Sequence, residues 1–325
     1  MRKIFTSLFG LLFFVTSCNK HDAKLPVEEQ QAEETTSVTV RKCGTTEALE
    51  QQLRDDPSLR KRMEEIEVFT QKAIKNPGAY RLVNGVIEIP VVVHVVYRTS
   101  AENISTAQVQ SQVDVLNEDF NKTNADASRV PTEFKDEQAS VGVRFVLDKV
   151  LRKVTSKRSW GTNNAVKKSS QGGDDPIDPS HYLNMWSCNL GQGLLGYAQF
   201  PGGPLATDGV VILYSAFGRT GTLIDTYNKG RTATHEVGHW MNLRHIWGDA
   251  TCGTDLVADT PPASTANYGC PGYPKLSTCT GGLAEMTMNY MDYTNDACMY
   301  MFSNGQKSRM LAVFAANGPR SAFGN

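Results

Sequence analysis

The chain has 325 residues, 40% of them hydrophobic, and a formal net charge of -1. This is enough apolar chain for one large domain with appendages. The near-neutral balance excludes the basic footprint of a nucleic-acid-binding protein, and no nucleic-acid partner is expected.

Arg2 and Lys3 precede an apolar run over residues 4–15, too short to span a membrane but of signal-peptide length. Val15-Thr16-Ser17-Cys18 follows and resembles the lipobox of bacterial lipoproteins. Residues 1–17 are therefore predicted to be a lipoprotein signal peptide, with Cys18 the lipidated first residue of an exported, membrane-anchored chain. Residues 18–80 are polar and charged, with acidic pairs at Glu28-Glu29 and Glu33-Glu34 and a thin helical pattern over 47–75. They read as a tether and pro-segment. Within it, Arg41-Lys42-Cys43-Gly44 carries a lone thiol.

A catalytic domain is predicted over 81–325, with an upper part to about 242 and a lower part from about 243. Residues 86–97 (VIEIPVVVHVVY) are β-branched and nearly continuous in apolar character, as in a strand buried on both faces; His94 within it reads as a core histidine. Ser105 is placed to cap a helix running to about Asn121, with Val109, Val113, Leu116 and Phe120 on its buried stripe. Strands are predicted over 141–154, 182–188 and 209–214, with a polar loop over 155–179. Leu194-Leu195-Gly196-Tyr197-Ala198 reads as an edge strand able to pair with an extended peptide. Cys188, among apolar residues, reads as an inert buried thiol.

Next comes HEVGHWMNLRH, holding His235, Glu236, His239 and His245. At about 100° per residue, His239 lies about 40° round an α-helix from His235, so both imidazoles share one face. His245 would point about 280° round if the helix continued. The helix must break first, and Asn242 is the residue most tolerant of the left-handed conformation that ends a helix. Three neutral imidazoles leave an open position on Zn²⁺, the mark of a catalytic site, and Glu236 beside them is placed as the base. A thiolate such as Cys43 is a good zinc ligand and could fill that position until the segment is cut away.

Cys252, Cys270, Cys279 and Cys298 cluster downstream in a Gly-, Pro-, Thr- and Ser-rich stretch that needs stapling; four cysteines allow three pairings. Ser303 and Gln306 form a capping box for a last helix, with Met310, Leu311 and Phe314 on its buried side.

HEVGHWMNLRHIWG, LLGYAQFPGG, the clustered cysteines and Asn289-Tyr290-Met291-Asp292-Tyr293 together resemble the pappalysin family of metzincin metallopeptidases over roughly residues 86–315. Asn242 stands where the motif more often has Gly. The resemblance implies an α+β fold: a twisted, mostly parallel sheet with backing and active-site helices above an irregular, disulfide-stapled C-terminal subdomain. It implies Met291 as the Met-turn floor, Tyr293 as oxyanion donor, Cys43 as a cysteine switch, and the pairs Cys252–Cys279 and Cys270–Cys298. It further implies a structural Ca²⁺ held by Asp255, the Val257 carbonyl and Thr260, and a pocket for the residue after the scissile bond with Asp296 at its base, selecting Arg or Lys.

The expected protein is thus a secreted or envelope-anchored zinc endopeptidase, monomeric, acting on proteins or peptides and made as a zymogen. Self-activation before a basic residue such as Arg60 or Arg81 follows from that specificity. The rival of another class is a non-catalytic envelope lipoprotein that binds peptide or metal. Within enzymes, the rival is a site whose third ligand is a downstream Glu such as Glu285.

Overall fold

The computed structural model describes residues 40–75 and 86–324, with Met1 and Val38. The predicted signal peptide, Cys18, the two acidic pairs and Arg81 lie outside the described residues. Residues 36–325 form one compact unit.

A five-stranded sheet in the order β2-β1-β3-β5-β4 carries the site. Its strands are β1 (Ile87–Tyr97), β2 (Val143–Val154), β3 (Leu183–Cys188), β4 (Gly196–Ala198) and β5 (Val210–Leu213). β2, β1, β3 and β5 run parallel, with Val91 opposite Leu183 and Trp186 opposite Val211; only β4 is antiparallel, Tyr197 facing Val211. The unbroken apolar run of β1 is explained by this position. Its odd-numbered residues pack on one face against Val113, Leu116 and Phe120 of α3 (Thr106–Phe120) and Val237 and Trp240 of α4 (Arg231–Trp240). Val96 belongs to a second apolar layer with Trp186, Tyr197 and Val211. Ser105 caps α3 as predicted, accepting from the Gln108 amide. His94 is a core histidine, bonded to Asp174 and Asn184 and stacked on Trp186.

The single helical pattern predicted over 47–75 is two helices, α1 (Thr45–Asp55) and α2 (Leu59–Lys75). Pro57 divides them: it has no N–H to donate and drives the preceding Asp56 out of the helical region, to φ -139° and ψ 89°. The Asp56 carboxylate then accepts from the Ser58 amide and pairs with Arg62.

Below α4 the chain is irregular. Disulfides join Cys252 to Cys279 and Cys270 to Cys298, the pairing implied by the family resemblance. Closing such loops contributes about 3–4 kcal/mol each in the chain-entropy account. Cys43 and Cys188 are free and buried. α5 (Asn304–Ala312) begins with the Ser303/Gln306 capping box. Among the described residues no helix is long and apolar enough to cross a membrane.

Candidate active site

The metal motif folds as its spacing requires. α4 ends at Trp240, and Asn242 takes φ 73°, the left-handed conformation, while the Leu243 amide donates back to the Gly238 carbonyl at 2.9 Å. This turn brings His245 to face His235 and His239. The three Nε2 atoms stand 3.1 to 3.3 Å apart. Each Nδ1 meets an oxygen: the Tyr290 carbonyl for His235, the Leu243 carbonyl for His239, and the Asp249 carboxylate for His245. With the ring protons on Nδ1, all three Nε2 atoms are acceptors aimed at one point, which only a cation can satisfy. Tetrahedral Zn–N bonds of about 2.0–2.1 Å demand nitrogens spaced much as these are, so the donor set fits Zn²⁺. Burial and the neighbouring imidazoles hold His235 well below its ordinary pKa and lower His239 to about 3, keeping both neutral as ligands must be.

Cys43 completes the cluster. Its Sγ and one nitrogen of each histidine all lie within 4.8 Å of one another. Burial, then the Glu236 charge, pushes the thiol well above its usual range; a bound cation reverses that balance, because a coordinating thiol deprotonates. The stretch around Cys43 lies along β4, running parallel to it: Gly44 N–H donates to the Gly196 carbonyl at 2.8 Å and Leu195 N–H to the Lys42 carbonyl at 2.9 Å. The predicted edge strand is therefore occupied by the chain's own segment.

Glu236 is covered too. Its Oε2 accepts from the Thr45 hydroxyl at 2.9 Å and lies 3.4 Å from Cys43 Sγ. Burial raises its carboxyl to about 7, against the lowering effect of those hydrogen bonds. Tyr293 packs on His245 with ring centroids 4.9 Å apart, and burial raises its phenol, which stays protonated as a donor. Met291 is fully buried, and a Cβ at Gly238 would stand 2.5 Å from its sulfur, so a side chain there would push the methionine aside. Trp247 stacks on His245 and Phe200 packs edge-on against His239.

Asp296 is wholly buried at the start of α4. Its Oδ2 accepts from the Lys229 and Arg231 amides, while Oδ1 receives Nη2 of Arg41 at 2.6 Å. The Arg41 guanidinium also donates to the Thr294 carbonyl and Thr232 hydroxyl, and lies 5.0 Å from the Tyr227 ring centroid. Asp255, Val257 and Thr260 come together as well: the Thr260 hydroxyl stands 2.8 and 3.0 Å from the two Asp255 oxygens and 3.1 Å from the Val257 carbonyl. One hydroxyl proton cannot serve three acceptors, and among the described residues no Lys or Arg pairs with Asp255, whose carboxyl burial raises to about 6. Such an oxygen cluster fits a hard cation such as Ca²⁺. Glu285, the rival third ligand, bonds instead to Ser264, Asn267 and Lys275.

Sequence reasoning missed Asp249, Thr45, Thr232, Tyr227 and the role of Arg41. Only Asp249, four residues after His245, and Arg41, two residues before Cys43, left any signal in the spacing.

Residues 167–315 match the family model described as pregnancy-associated plasma protein-A. The chain is 34% identical over 256 residues to extracellular metalloprotease 1 of Coccidioides posadasii, covering 74% of this chain and 82% of that protein. It is 33% identical over 240 residues to an extracellular metalloprotease of Arthroderma otae, covering 71% and 78%. Among solved structures, a mutant of Tannerella forsythia promirolysin superposes with a TM-score of 0.79 at 43% identity, covering 87% of this chain and 97% of that one. Mature Tannerella forsythia mirolysin in complex with a cleaved peptide gives 0.71 at 47%, covering 74% and 96%. With a three-histidine cluster that fits zinc and an acidic residue beside it, the chain belongs to the pappalysin family of metzincin zinc metallopeptidases.

Proposed function

We propose that this metalloendopeptidase is held latent by its own pro-segment, with Cys43 filling the open coordination position and Asp296 selecting a basic residue after the scissile bond. The observation that carries the reading is that Cys43 and Arg41, two residues apart, reach the metal cluster and Asp296 at once. A segment so placed excludes substrate from both. The guanidinium of Arg41 is a stand-in for a substrate side chain: a single free carboxylate oxygen, a carbonyl, a hydroxyl and an aromatic face suit a planar cation.

Once the segment is gone, His235, His239 and His245 would hold zinc with a position open to water, where it would supply Lewis-acid polarisation of the scissile carbonyl and lower the pKa of water toward about 7. Glu236 takes the water proton and passes it to the leaving amine. Tyr293 donates to the oxygen on which negative charge develops, and Met291 fixes the floor under the ligands. β4 is then free to pair with extended substrate. Asp255, Val257 and Thr260 hold calcium as a brace for the lower part. The names of the extracellular relatives support export, and Cys18 is the proposed lipid attachment point. Arg60, exposed in the first turn of α2, is a candidate activation site.

A peptide-library digest with the processed enzyme tests this. The wild type is expected to cut before Arg and Lys. Glu236→Ala should keep its zinc and cut nothing, and Asp296→Asn, which keeps an acceptor for the helix amides but loses the charge, should lose the basic preference. Turnover by Glu236→Ala, or an unaltered cleavage profile for Asp296→Asn, contradicts the assignments.

A further inference from the structure

The turn that delivers His245 is held from outside its own helix. The Asn242 carbonyl, left without a helical partner by the break, accepts from Nε of Arg309 at 2.8 Å. Arg309 lies on the buried side of α5 and is 1% exposed. Its other two nitrogens grip the Glu67 carboxylate in α2 as a two-pronged ion pair. The Asn242 side chain reaches the same helix, donating to the Thr70 hydroxyl at 3.3 Å. One guanidinium thus joins a removable segment to the backbone that shapes the metal site.

We propose that Arg309 is a positioning residue for the metal-bearing turn, and that Glu67 clasps it as an anchor of the pro-segment separate from Cys43. The inference rests on the reading of residues 40–75 as a pro-segment. Between Cys43 and Glu67 the helices border a cavity of about 630 Å³ lined by Leu49, Leu53, Met63, Phe200 and Pro201, and close on the enzyme at Gly202. Arg62 reinforces the far end, donating to the Gly202 carbonyl at 3.0 Å. A cut before Arg60 parts the two anchors: Cys43 leaves with its fragment, and Glu67 stays on the catalytic chain until a second cut downstream of α2.

The same geometry gives Arg309 two tasks that a lysine cannot share. A single ammonium cannot span the Asn242 carbonyl and both carboxylate oxygens. Loss of the Glu67 charge weakens the anchor but leaves the Nε bond, whereas Arg309→Lys weakens the turn itself.

The test uses the full chain and the enzyme it matures into. E67Q should keep its zinc and convert to the active form about 10-fold faster, the effect of losing one charge-assisted bond pair. Conversion within twofold of wild type overturns the anchor. C43A is run beside it. If C43A leaves latency unchanged while E67Q speeds conversion, the cysteine switch fails and the Glu67 anchor stands; multiplied rates in the double variant establish two independent anchors. For the processed enzyme, R309K should melt near the wild-type temperature and keep its KM within twofold, yet release zinc to a chelator about 10-fold faster. A wild-type release rate overturns the positioning role.

Discussion

Asn242 shows how one backbone angle decides a metal site. His245 can meet the other two histidines only if the chain reverses after Trp240, and the residue at the reversal has φ 73°. Asn accepts that angle at little cost and Gly at none, whereas a β-branched residue loses about 1–2 kcal/mol or more. Asn242→Gly should therefore keep zinc affinity, and Asn242→Val should weaken it about 10-fold or more, as read by chelator competition. Equal affinity for the two would contradict the turn. This much was legible, because the angular mismatch of His245 can be counted from spacing alone. Asp249, the Tyr290 carbonyl and the Leu243 carbonyl, which set the ring tautomers, were not: they depend on where the turn leads.

β4 is short, yet it meets the stretch around Cys43 on one side and Glu236 on the other. A Cβ at Gly196 would lie 2.9 Å from Glu236 Cγ and 2.9 Å from the Val211 carbonyl, so this strand position tolerates only hydrogen. Gly196→Ala should bind zinc normally but lower kcat roughly 10- to 100-fold by displacing the carboxylate. Unchanged kcat would mean that Glu236 has room to move. β1 and β5 were readable from β-branched runs, and α3 and α5 from their Ser caps. The break between α1 and α2 was readable too, from Pro57, but a periodicity reading ran through it. What no pattern could give was the partner of each helix, since Thr45 with Glu236 and Glu67 with Arg309 are contacts between distant parts of the chain.

Among the described residues the sheet lies before α4, and the chain after α4 has little regular structure and carries two disulfides and the Asp255 cluster. If calcium occupies that cluster, chelation should lower the melting temperature of the wild type, and ligand linkage predicts about 2.7 kcal/mol of stabilisation at a hundredfold excess over Kd. Asp255→Asn should melt at the same temperature with and without calcium. A wild type indifferent to calcium would contradict the site. On the proposed function latency is likewise distributed, with Cys43 at the histidine cluster, Thr45 on Glu236 and Arg41 at Asp296, all within five residues of sequence. That economy makes the thiol the place to look. Zinc-edge X-ray absorption on the intact latent chain should find one sulfur at about 2.3 Å with three nitrogens at about 2.0–2.1 Å, the sulfur vanishing on activation. A zinc shell without sulfur before activation would contradict the account.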